Sequence, residues 1–66
     1  MPKETTDAIL YALNQEDYFG DPITLNSLFL VDKVQEYFIL NGIEYEDFNR
    51  QSLDPFIVDL QEEGKI

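Results

Sequence analysis

Apolar residues in this chain recur at helical spacing in three stretches, separated by segments made of turn-forming residues. In the first, residues 6–15, Ile9, Leu10 and Leu13 fall on one helical face, and Thr5 or Thr6 is placed to cap the start. Asp7 suits the positive end of that helix's dipole. The run Glu16-Asp17-Tyr18-Phe19-Gly20-Asp21-Pro22 then breaks the pattern. Glycine admits backbone angles closed to other residues, and proline cannot continue an upstream helix, so a loop carrying two aromatic side chains is predicted.

A second helix is expected to begin between Pro22 and Ser27, with Asp21, Thr24 or Asn26 able to cap it. Asn41-Gly42-Ile43 fits a glycine-terminated end in which an apolar residue just past the cap folds back on the last turn. Inside this helix only Asp32, Lys33, Gln35 and Glu36 form a polar window. Leu28 to Val31 and Tyr37 to Leu40 are apolar nearly all round, which predicts that both ends are covered on more than one side, either as the central helix of a small core or with one face covered by a partner. The last third reads as a short helical turn over 45–50, then a helix from Asp54 or Pro55 to about Glu63. Ser52 or Asp54 is expected to cap that helix and Gly64 to end it. The pattern as a whole predicts an all-α fold, a small three-helix domain with an additional short helical turn, occupying residues 1–66 as a single unit.

Size and composition narrow what such a domain can do. A chain of 66 residues buries only about 60% of the surface it exposes when unfolded, so its margin of stability is thin. It has neither cysteine nor histidine, which removes disulfide staples and zinc sites with nitrogen or sulfur ligands. The polar N-terminus lacks the apolar stretch of a secretory signal, and residues 28–40 are too short and too charged to span a bilayer. A soluble, cytoplasmic protein is expected, in the host cytoplasm if the protein is viral. Fourteen acidic residues against four basic ones give a net charge of −10, and no base occurs from Glu4 to Asp32. Such a field repels nucleic acid and steers a basic partner.

Specific chemistries fall away in turn. Nucleophilic catalysis usually needs a histidine base, and the two serines sit where caps are expected, so no catalytic residue is assigned. A calcium loop with Gly20 at its sixth position would need Asn26 in place of the bidentate glutamate, so no metal or other cofactor is expected. Gln51-Ser52-Leu53-Asp54 resembles the Asp-Ser-Leu of acyl carrier proteins, with Gln51 standing where that family has aspartate. A helix, turn and helix over 43–63 lacks the several lysines and arginines that DNA reading requires.

Residues 34–63 carry a family resemblance of another kind. An aromatic-ended helix closing at Tyr37-Phe38, then Asn41-Gly42-Ile43, an acidic turn leading to Phe48, and a terminal helix with Ile57, Leu60 and Glu63 resemble the late-transcription coactivators of T-even-type bacteriophages. The resemblance implies a small acidic phage protein that docks on the flap of host RNA polymerase and bridges it to the replication clamp. The family's acidic and hydrophobic clamp-binding tail has no counterpart in Glu62-Glu63-Gly64-Lys65-Ile66.

Nine aromatic side chains together with the acidity point to a recognition surface that binds another protein, one with a basic or apolar face such as RNA polymerase or a nucleic-acid-binding protein. The expected contacts are Tyr18 and Phe19, then Tyr45 and Phe48, with Glu16, Asp17, Asp21, Glu46 and Asp47 supplying charge. Two other readings have distinct signatures: an acidic mimic of DNA that blocks a nuclease or similar protein, and a homo-oligomer whose central helices cover one another.

Overall fold

Helices α1 (Glu4–Leu13), α2 (Leu30–Leu40) and α3 (Arg50–Glu62) follow one another along the chain. They are seen in a computed structural model that describes residues 3–44 and 49–66. Among the described residues there is no strand, only an isolated antiparallel bridge between Glu16 and Pro22. The all-α expectation holds. The short turn expected over 45–50 lies mostly outside the described residues, and Arg50 itself opens α3.

Each helix contributes one stripe to a common core. Thr5, Ala8, Ile9 and Ala12 of α1 are buried at the i, i+3, i+4, i+7 spacing of a single helical face. Leu30, Val34 and Phe38 of α2 and Leu53, Ile57 and Leu60 of α3 complete the core, with Ile23 from the connector. The stripe on α1 is therefore centred on its alanines, and Leu10 and Leu13 only flank it. Small side chains at 8 and 12 allow the helices to approach closely. As a result α1, and not α2, is the central element: it packs most extensively on α2 and also on α3.

Helix starts depart from the sequence reading. Thr5 does not cap α1; it is fully buried in the first turn, and its hydroxyl finds no hydrogen-bond partner among the described residues. The Thr6 hydroxyl instead donates to the Lys3 carbonyl. Helix α2 starts only at Leu30, because residues 24–29 close into turns: Ser27 N–H donates to the Thr24 carbonyl, and the Ser27 hydroxyl accepts from Phe29 N–H. Asp21, Thr24 and Asn26 cap nothing there. For α3 the cap is Asn49, whose side chain accepts from the Ser52 amide, and Ser52 is inside the helix. The helix then runs through Pro55. The carbonyl that a residue at 55 would normally bond belongs to Gln51, and both residues are exposed, so water can satisfy it.

Helix ends follow the sequence closely. Gly42 takes φ +64°, Ile43 N–H donates to the Phe38 carbonyl and Gly42 N–H to that of Ile39, which is a complete Schellman motif. Gly64 repeats it at φ +73°, with Lys65 bonded to Leu60 and Gly64 to Gln61. The connector before α2 is joined to α3 through Arg50, whose Nε and Nη2 both donate to the Leu25 carbonyl (3.3 and 3.2 Å). Asp54 pairs with the same guanidinium.

Candidate interaction surface

The loop between α1 and the connector is built around one carboxylate. Asp17 Oδ1 accepts from Phe19 N–H (2.8 Å) and from Asp21 N–H (3.0 Å), while Asp17 N–H donates to the Asp21 carbonyl (2.8 Å). Gly20, at φ +85°, makes the reversal, and Ile23 N–H returns to the Gln15 carbonyl. This tight loop lifts Tyr18 and Phe19 into solvent, at 72% and 80% exposure. The two rings are not loose. Tyr18 stands edge-on to Phe29 at 5.2 Å between centroids, and Phe19 lies 6.2 Å from the same ring.

Tyr18 also closes one end of an open groove along the outer face of α2, of which Ile39 and Leu40 form the other end. Between them lie Asp32, Lys33, Gln35 and Glu36. Asp32 and Glu36 are spaced on the side of the helix opposite Leu30, Val34 and Phe38, with Lys33 and Gln35 on its flanks. Lys33 is drawn back into the floor: its ammonium sits 5.4 Å from the centre of the Tyr18 ring and 3.3 Å from Glu36 Oε2. That pair is held by charge and not by a directed hydrogen bond. The Glu36 carboxylate also acts on Tyr11 of α1. Burial first, then the charge and hydrogen-bonding capacity of Glu36, raise the Tyr11 phenol above its ordinary pKa, with Lys33 pulling the other way. Tyr11 in turn packs against Tyr37 at 5.4 Å.

The apolar residues at the two ends of the predicted second helix are thus not all covered within the domain. Leu28 is 92% exposed, and Ile39 and Leu40 are each 67% exposed. Among the described residues α2 is packed from one side by short helices, and the apolar residues that the sequence pattern assigned to a second cover face solvent. Ile39, Leu40, Phe29 and Lys33 belong to this surface and escaped the sequence reading. The signal was present in the all-round apolar character of the runs at 28–31 and 37–40.

Of the residues expected to make contacts, Tyr18, Phe19, Glu16, Asp17 and Asp21 come together on the loop. Asp17 serves mainly to shape it, since its carboxylate is taken up by backbone amides. Tyr45, Glu46, Asp47 and Phe48 lie outside the described residues. Among the described residues no group of three or more acids is placed to hold a metal ion, and no helix is long and apolar enough to cross a membrane.

Fold and surface together define an acidic three-helix domain with a hydrogen-bonded aromatic loop beside an open groove on its second helix. Comparison with protein-family models, curated proteins and solved structures finds no match to this chain.

Proposed function

We propose that this protein is a non-catalytic protein-interaction module that acts in the cytoplasm as a regulator of the protein it binds. The observation that supports this reading is the pair Tyr18 and Phe19, large apolar rings held in solvent by a loop whose geometry Asp17 fixes. Exposing two such rings costs solvation, and ordering the loop in advance removes part of the entropy that binding would otherwise lose. The acidic charge then sets orientation and association rate. The resemblance of residues 34–63 to phage late-transcription coactivators supplies a first partner to try, bacterial RNA polymerase, with the chain acting as a phage-encoded regulator.

The test is retention of purified RNA polymerase, and in parallel of a bacterial lysate, on the immobilised full chain. Wild type is expected to retain a specific protein. Phe19→Ala is expected to weaken that complex about tenfold, the effect of losing one well-packed aromatic anchor. Its helical circular dichroism should match wild type. A complex indifferent to Phe19 but lost steeply between low and moderate salt would instead make the chain an acidic mimic of DNA.

A further inference from the structure

The proposed interaction leaves open what chemistry the partner brings, and the groove on α2 carries an answer. Its two apolar ends are separated by polar floor: Tyr18 stands over Lys33, and Ile39 lies six residues further on, about 9 Å along the helix axis. Apolar side chains seven residues apart on a partner helix are spaced about 10 Å, which matches that separation. Between the two ends the groove offers carboxylates. Asp32 is exposed, whereas Glu36 is only partly so, with its Oε2 buried against Lys33. Among the described residues no other base lines the groove.

Charge decides between the possible occupants. Three of the four basic residues are engaged within the molecule: Lys33 with Glu36, Arg50 with Asp54 and Lys65 with Glu63. The field leaving this face is therefore negative, and Glu16 and Asp21 beside the aromatic loop extend it. A second copy would bring another −10 onto a rim of the same sign, and an anionic membrane would be repelled in the same way. A cationic partner is drawn in, and its lysines or arginines gain carboxylates that the internal pairs leave unneutralised.

We propose that the α2 groove takes a basic amphipathic helix of another protein, seating apolar residues about two turns apart against Tyr18 and Ile39–Leu40 with basic residues over Asp32. This rests on the interaction-module reading and names the class of segment that the module binds. It makes the loop and α2 one continuous surface, with Phe19 extending the apolar end at Tyr18.

The test uses the isotope-labelled full chain and a synthetic peptide of leucine and lysine, about 15 residues long, patterned at helical period. A second peptide of the same composition in alternating order matches it in charge and hydrophobicity but not in helical face. The helical peptide is expected to bind at least about tenfold more tightly than its reordered counterpart. Backbone amide shifts should be concentrated at Tyr18, Asp32, Gln35, Ile39 and Leu40. Ile39→Ser, at an exposed position that leaves the core intact, should lose about tenfold in affinity. Asp32→Asn should weaken binding less and reduce its salt dependence.

Equal affinity for the two peptides, or shifts centred near Leu28 and Arg50 instead, would overturn the assignment. So would a wild-type dimer in sedimentation that Ile39→Ser dissociates, because the groove would then be filled by a second copy. The same variant separates this inference from the one beneath it. If immobilised Ile39→Ser retains the captured partner as well as wild type does, the groove assignment fails and the interaction module stands. If wild type itself retains nothing, the module reading fails and takes the groove with it.

Discussion

Thr5, in the core, and Tyr11, half-buried on the same helix, show how single polar groups act on a domain this small. The Thr5 hydroxyl is buried with no partner among the described residues, and an unsatisfied buried hydroxyl costs about 1–3 kcal/mol. Thr5→Val keeps the shape and removes the unmet donor and acceptor, so it is expected to stabilise the protein by about 1 kcal/mol in denaturant unfolding. Tyr11 gives a pH dependence with a defined sign. Its phenol has a raised pKa in the folded state, so the stability linked to it is fully present below the unfolded value, about 10, and is lost as pH rises through the folded value. The difference in unfolding midpoint between wild type and Tyr11→Phe should therefore be constant below pH ~10 and shift against wild type above it. A difference that stays flat to higher pH would mean that Glu36 and burial do not hold the phenol neutral.

At the scale of elements, α3 carries a visible cost. Pro55 is its sixth residue, so the helix lacks one bond and crowds the Gln51 carbonyl. Proline in a helix interior costs ~3 kcal/mol, and proximity to the first turn together with an exposed carbonyl reduces that figure. Pro55→Ala is expected to stabilise the domain by about 1 kcal/mol and to raise helical circular dichroism slightly. A destabilised variant would mean that the ring itself packs usefully. The same element explains why Arg50 matters: with α2 and α3 joined to each other mainly across α1, the guanidinium on the Leu25 carbonyl is a principal tie between the connector and the last helix.

For the molecule as a whole the governing quantity is net charge. Ten uncompensated negative charges on 66 residues repel one another in the compact state, and this repulsion is screened within about 10 Å at 0.1 M salt. Raising sodium chloride from ~0.02 to ~0.2 M is expected to stabilise the isolated protein by about 1 kcal/mol, a rise in Tm of roughly 5 °C for a domain of this size. Salt should act in the opposite direction on the complex, weakening attraction to a basic partner. A melting temperature independent of salt would show that the acids are spaced too widely to interact.

The sequence by itself determined the three-helix class, the glycine-terminated ends at Gly42 and Gly64, the aromatic loop at 16–22 and the acidic field. These are local or compositional: a helix end with glycine and a following apolar residue closes through neighbouring backbone groups, and charge needs no fold to be counted. Helix starts were less legible. Several capping residues competed before each helix, and the choice among Asp21, Thr24, Asn26 and the turn that formed instead was made by how residues 24–29 lie on the rest of the domain. Only tertiary structure decided that α1 is central, since Ala8 and Ala12 become core positions only when a neighbouring helix fills the space beside them. Tertiary structure likewise decided that the apolar residues Leu28, Ile39 and Leu40 face solvent. Periodicity records how many sides of a helix are apolar, but which of those sides meets another element depends on how many elements the chain has to place there.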